Sequence, residues 1–411
     1  VPESLLEIFA QNPEYSAKLD SLINAKDKVP FKIFDKKNAE KLFGKNLNIS
    51  ASQLEKFNLC RFSYFCNYGL NVRERQRAEI NPMQYGTIVH YILERFFGEY
   101  TKEEYLSLEE DKFQKIVCAY LAEYAIKYFG EEQLESNSFT YRLKTILDNV
   151  MYLMKHIMEE LSQSEFFVAD CELKIGEDIP SYTIVLPDGH KIAVCGSVDR
   201  VDIMQRADIT YLRIIDYKTG TKQFKLSDIL YGINLQMLLY LHSIEASGGD
   251  KYGEIVPAGI LYMPATVPYI SSDSLKSIDK LPDELNKKLK MNGLLLKDTE
   301  IIHGMDKTDV ATYIPVKIKA GEPVSSTSLA TLAEFGKIFK KVDMLIAEMG
   351  ENIYNGNIEA KPLKGGHDSC EYCPYDSVCA YRQSNPITCF SVDNKTVIEE
   401  ITNEINGKEE E

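Results

Sequence analysis

The chain has 411 residues, of which 44% are hydrophobic and 27% charged. That is ordinary for a protein folded in water, with length for two or three domains or one large domain with an insertion. No apolar run approaches the roughly 18 residues of a membrane span, and the net charge of −15, from 47 basic against 62 acidic residues, weighs only lightly against nucleic acid, because a basic channel can sit on an acidic protein.

The sequence starts Val1-Pro2-Glu3-Ser4, with no initiator Met and no apolar leader, as expected of a processed product or a piece of a longer protein. Residues 1–45 are polar and predict short helices and linker. Ser52-Gln53-Leu54-Glu55 has capping-box form, so a helix is predicted from Ser52, carrying Cys60. A second helix is predicted over about 83–100, and helical periodicity continues over about 102–163. The period then changes. Residues 166–175, 182–186, 191–204 and 211–218 are short, Val- and Ile-rich and separated by turn residues, and predict an antiparallel meander. A helix over 226–246, a buried strand over 255–263, an irregular Lys-rich stretch over 270–312 and a long amphipathic helix over 329–355 follow. The chain ends in an acidic tail, Lys408-Glu409-Glu410-Glu411. No G-x-x-x-x-G-K-[ST] phosphate loop is present.

The chemistry centres on Ile214-Ile215-Asp216-Tyr217-Lys218-Thr219-Gly220. On a strand Asp216 and Lys218 share one face and Tyr217 takes the other. An acid and a lysine leaving so apolar a strand on one side are costly unless a site uses them. The preceding strand carries Gly196-Ser197-Val198-Asp199-Arg200-Val201-Asp202. If the two form a hairpin, Asp199 lies beside Asp216, and a divalent cation relieves their repulsion. Mg²⁺ suits carboxylates and keeps waters, and a cation-activated water held near an ammonium can attack a phosphodiester. Arg200 and Asp202 read on their own as a cross-strand pair.

Asp199 followed by Asp216-Tyr217-Lys218 resembles the D…(D/E)-x-K signature of the PD-(D/E)xK nuclease superfamily, specifically its RecB-like branch. The resemblance implies an α/β restriction-endonuclease-like core, a mixed central sheet flanked by helices. It implies Asp199, Asp216 and the Tyr217 carbonyl as metal ligands and Lys218 as the residue that orients and activates the water. Tyr85-Gly86-Thr87-Ile88-Val89-His90 resembles the branch's G-x-x-x-H helix, which makes His90 a further ligand. Leu235-Gln236-Met237-Leu238-Leu239-Tyr240 resembles its Q-x-x-x-Y motif, which sets Gln236 by the catalytic lysine and adds Tyr240. Glu172 matches the acidic first motif. Alone, each element has a plain structural reading, such as a core histidine or the polar edge of a helix. The four in this order carry the nuclease reading.

Nine cysteines are too few for a disulfide-stapled domain. Cys370, Cys373 and Cys379 form C-x2-C-x5-C, and with Cys60 they offer four thiolates. Spacing leaves both a tetrahedral Zn²⁺ and an iron–sulfur cluster open. The stretch from Glu55 through Cys60 to Phe65 resembles that of the iron-staple nucleases, with Arg61 where proline is commoner. That resemblance implies one [4Fe–4S] cluster on Cys60, Cys370, Cys373 and Cys379, closing a loop of about 310 residues, with the entropic benefit of long cross-links. Cys66, Cys118, Cys171, Cys195 and Cys389 are read as core or incidental thiols. The helical insertion between His90 and Glu172, with Tyr68-Gly69-Leu70 and Arg73-Glu74-Arg75, is most similar to the C-terminal nuclease domain of the AddB-type (RexB-like) helicase/nuclease subunit.

The expected organisation is a segment 1–45, a RecB-like nuclease domain over 46–390 and a tail over 391–411. The insertion falls at about 101–165, and the C-terminal cluster-binding region is 370–379. What the resemblance implies is a cytoplasmic Mg²⁺- or Mn²⁺-dependent exodeoxyribonuclease that processes DNA double-strand breaks for recombinational repair, paired with an AddA-type helicase/nuclease subunit. A stand-alone RecB-like exonuclease and a catalytically silent DNA-binding scaffold stay open beside it.

Overall fold

The computed structural model describes residues 15–16, 32–73, 82–220, 223–268, 270, 281–308, 310–325, 327–379, 381 and 386–409. Most of the predicted N-terminal segment, Glu74-Arg75 and Glu410-Glu411 lie outside the described residues. Five helices position the site: α1 (Ala51–Leu59), α2 (Pro82–Glu99), α3 (Asn137–Gln163), α4 (Gln236–Ser247) and α5 (Leu332–Tyr354). The central sheet has six strands: β1 (Phe167–Ile175), β2 (Gly196–Arg206), β3 (Ile209–Lys218), β4 (Glu254–Pro264), β5 (Asn292–Leu296) and β6 (Leu329–Ala330).

These strands lie in the order β6-β5-β4-β3-β2-β1. The β1/β2, β2/β3 and β4/β5 pairs are antiparallel, and β3/β4 and β5/β6 are parallel. A parallel pair needs a crossover, and α4 supplies it between β3 and β4. The middle strands read as near-continuous apolar runs because helices cover them. Leu212, Ile214, Ile215, Ile260 and Leu261 are all buried.

Four boundaries differ from the predicted ones. The predicted meander is interrupted: Thr183–Val185 and Lys191–Val194 leave the main sheet and join Asn46–Ile49 in a separate three-stranded sheet. The break falls at Cys195-Gly196, where a Cβ on Gly196 would lie 2.2 Å from the Tyr240 hydroxyl oxygen. The predicted 226–246 helix is a 3₁₀ segment, Leu226–Tyr231, followed by α4. Gly232 and Asn234 both take positive φ there, which ends helical winding. Within the predicted irregular stretch, Leu281–Leu289 and Thr299–Met305 are helical and β5 pairs with β4. Residues 271–280 lie outside the described residues. The cap of α1 is Ser50, paired reciprocally with Gln53, rather than Ser52 with Glu55. No helix among the described residues is long and apolar enough to cross a membrane.

Candidate active site

The strand register builds the site. Cys171 pairs with Arg200 and Leu173 with Val198, which sets Glu172 opposite Asp199. Arg200 pairs with Ile215, so one step on sets Asp199 opposite Asp216, and Asp216 pairs with Tyr262 of β4. Glu172, Asp199 and Asp216 therefore form one transverse row on three adjacent strands, about 4.8 Å apart along the hydrogen-bonding direction. Lys218, two residues beyond Asp216 on the same face, brings its Nζ to 2.6 Å from Asp216 Oδ2 and lies 5.9 Å from the centre of the Tyr262 ring.

The histidine arrives from α2. His90 Nδ1 is 3.0 Å from Glu172 Oε1, and its Nε2 is 3.5 Å from Asp199 Oδ2. Ser197 donates to the other Glu172 oxygen at 2.8 Å. Glu172 holds φ +50°, uncommon for a residue with a side chain. Residues in such strained conformations gather at functional sites. The Tyr217 N–H donates to Asp199 Oδ2 at 2.9 Å.

The electrostatics match a cation site. Burial, then the facing Asp216 carboxylate, push the Asp199 carboxyl well above its ordinary range. Burial alone would lower the His90 imidazole, but its hydrogen bond to Glu172 and the carboxylate of Asp199 outweigh that and raise it. Asp216 Oδ2 is buried and makes no hydrogen bond of good geometry among the described residues, although the Lys218 ammonium is close. Oxygen donors with one imidazole suit a hard divalent ion. Within the described residues His90, Glu172 and Asp199 can bring one donor atom each to within 4.8 Å of one another. Asp216 stands one strand further along the row.

Of the remaining predicted residues, Tyr217 keeps its ring 5.8 Å from that of His90, and the Tyr240 hydroxyl feels the Asp199 and Asp216 carboxylates. Alternation turns Arg200, Asp202, Arg213 and Tyr217 to the opposite face from Asp199 and Asp216. Arg200, a possible accessory by the resemblance, is fully buried. It bonds Asp202 on its own strand at 2.7 Å, Glu160 of α3 at 3.1 Å and the Tyr217 hydroxyl at 3.4 Å. Arg213 reaches Asp202 at 3.0 Å and Glu160 at 2.5 Å. The expected simple Arg200–Asp202 cross-strand pair is thus a buried four-residue ion network, half of it unread in the sequence. Tyr240 accepts the Ala51 N–H at the start of α1, and burial pushes its hydroxyl up to about 12. Gln236 is half-buried at the first position of α4.

Four of the thiols lie around one cavity. All nine cysteines are free. Cys60, Cys370, Cys373 and Cys379 line one cavity of about 180 Å³. Burial pushes the Cys60 thiol up, while the backbone N–H groups of Ser63, Phe62 and Lys361 aim at its sulfur and favour the thiolate. Cys66, read as a core or incidental thiol, is buried in the same apolar cluster as Cys60 and Tyr375. Arg61, where proline is commoner in the resembling motif, pairs with Glu348 of α5 at 3.2 Å.

The PD-(D/E)XK nuclease superfamily matches the chain over residues 48–380, and the chain belongs to that superfamily. The mixed sheet flanked by helices is its fold. Among curated proteins the chain is similar to the B-type subunit of the ATP-dependent helicase/deoxyribonuclease of Thermoanaerobacter sp. (strain X514), 35% identical over 354 residues, covering 83% of this chain and 30% of that protein. The corresponding B-type protein from Ruminiclostridium cellulolyticum is 33% identical over 398 residues, covering 93% of this chain and 34% of that protein. That from Clostridium kluyveri is 34% identical over 397 residues, covering 92% and 34%. The chain spans about a third of the length of these relatives.

Proposed function

We propose that this chain is the nuclease part of a B-type helicase–deoxyribonuclease subunit and hydrolyses DNA phosphodiesters, one strand end at a time, in the processing of double-strand breaks. Residues 46–390 form the nuclease domain in this reading, the protein works in the cytoplasm, and its partner is an AddA-type helicase subunit. The observation that carries the reading is the transverse row Glu172–Asp199–Asp216, with Lys218 beside the last acid.

Asp199, Asp216, the Tyr217 carbonyl and His90 would hold Mg²⁺ or Mn²⁺. The chemistry a bound cation supplies is Lewis-acid activation and neutralisation of charge at the scissile phosphate. Glu172 holds the ring of His90 through Nδ1, so that Nε2 faces Asp199; such outer partners fix a ligand's tautomer. Lys218 donates to the attacking water and orients it toward phosphorus. Gln236, the first residue of α4, contacts the substrate in this reading. The four thiols around the cavity would hold one [4Fe–4S] cluster, which joins the two ends of the domain. End-labelled linear DNA incubated with this protein should shorten in Mg²⁺ and stay intact in excess EDTA; equal degradation in EDTA would remove the metal from the account.

A further inference from the structure

Helix α4 carries Gln236 at its first position, yet no side chain of its own caps its start. The first N–H groups of a helix have no partner within it and need one elsewhere. Here the partner comes from a different helix. Glu55 Oε1 accepts the Leu235 N–H at 2.7 Å and the Gln236 N–H at 3.3 Å. One turn on, Asn58 Nδ2 donates to the Gly232 carbonyl at 3.0 Å. Gly232 has φ +68°, and a Cβ there would meet the Asn58 side chain at 2.2 Å. Two residues of α1 thus grip both sides of the bend that leads into α4. A carboxylate at a helix start also gains from the helix dipole. Glu55 is near the reaction centre too: Tyr262, the register neighbour of Asp216, feels both Asp216 and Glu55.

We propose that Glu55 is a positioning residue for Gln236: its carboxylate substitutes for the missing N-cap of α4 and so sets where Gln236 enters the site. The role is mechanical and needs an acceptor oxygen, not a charge. It rests on the nuclease reading above for the part Gln236 plays. Cys60 caps the C-terminus of α1, so the same contacts tie the thiol cavity to the start of α4.

The test uses four proteins: Glu55→Ala, Glu55→Gln, Gln236→Ala and the double variant Glu55→Ala/Gln236→Ala. Hydrogen exchange at the Leu235 and Gln236 amides should rise at least tenfold in Glu55→Ala and stay within about threefold of wild type in Glu55→Gln, whose amide oxygen still accepts. In Mg²⁺-dependent cleavage of end-labelled DNA, Glu55→Ala should lower kcat about tenfold with KM little changed, and Glu55→Gln should restore it. In the Gln236→Ala background, Glu55→Ala should cost less than about twofold more, because residues that act through one another are not additive. Unchanged exchange in Glu55→Ala, or losses that multiply in the double variant, would overturn the proposal. Wild-type protein that fails to cleave DNA removes the nuclease reading and the positioning role with it, while the exchange rates still decide whether Glu55 caps the helix.

Discussion

The His90 ring is held by Glu172, a residue with φ +50° in the middle of a strand, at 3.0 Å from Nδ1 to Oε1. The Glu172 carboxylate reaches the histidine from this strained backbone position. Glycine carries no penalty in that conformation. Glu172→Gly should therefore be more stable than Glu172→Ala by about 1 kcal/mol in chemical denaturation, while both raise the Mg²⁺ concentration needed for half-maximal cleavage. Equal stability of the two variants would show that the backbone there is not strained.

His90 itself must be neutral to bind a cation, and its carboxylate neighbours favour the proton. Metal binding should therefore release protons and tighten as pH rises. Calorimetric titration with Mg²⁺ or Mn²⁺ in buffers of different ionisation enthalpy measures the release directly. His90→Ala should abolish the His90 share of it and lose more activity at low Mg²⁺ than at saturation. An unchanged metal dependence would return His90 to the role of a core residue.

Beneath the row, Glu160, Arg200, Asp202 and Arg213 are fully buried and pair two positive with two negative groups. Removing one member leaves an uncompensated buried charge. Glu160→Gln or Arg213→Met should cost about 3–5 kcal/mol of folding stability, read as a lowered denaturation midpoint. A loss below about 1 kcal/mol would show that the network tolerates an unpaired charge.

Asp199, Asp216 and Lys218 were legible from the two-residue strand period, whereas His90 and the four thiols were named through the family resemblance. Asp216 and Lys218 share a face by alternation alone, and Asp199 meets Asp216 once a hairpin is granted. Arg213 obeys the same alternation, but its partner Glu160 lies on α3, and no local pattern announces a contact between a helix and the buried face of a sheet. Glu55 was legible as a capping-box acid of its own helix and as the first residue of the iron-staple-like stretch, but its use by α4 depends on how two helices pack. Strand β5 was hidden in a Lys-rich stretch; its Asn-Gly-Leu-Leu-Leu run is too short to show a period.

His242 gives a pH dependence remote from the metal. It lies on α4, 3.0 Å from Asp343 Oδ1 and 3.6 Å from Glu245 Oε2, with Tyr182 also donating to Asp343. Burial would lower the imidazole, but the two carboxylates outweigh it and raise it to about 9. A group raised on folding stabilises fully below its unfolded pKa, near 6.5, and that stability fades as pH rises toward 9. His242→Gln should thus cost up to about 3 kcal/mol at pH 6 and much less at pH 9.5. An equal cost at both pH values would mean the imidazole is neutral in the fold.

The thiol centre predicts colour. Protein purified without oxygen should be brown and carry about four iron and four sulfide per chain, as a [4Fe–4S] cluster requires. Changing Cys60, Cys370, Cys373 or Cys379 to Ser should bleach it and lower the melting temperature, and changing Cys118 or Cys195 should do neither. A colourless protein holding one zinc would replace the cluster and leave the carboxylate row untouched.

In the proposed reaction Asp199, Asp216 and Lys218 carry phosphodiester hydrolysis, and the decisive measurement is single-turnover cleavage of end-labelled DNA by Lys218→Ala against wild type. With Mg²⁺ saturating and circular dichroism unchanged, the variant should be slower by about 10²–10⁴-fold, the range for losing a positioned proton-transfer group. Cleavage by Lys218→Ala at the wild-type rate would remove the lysine from the chemistry.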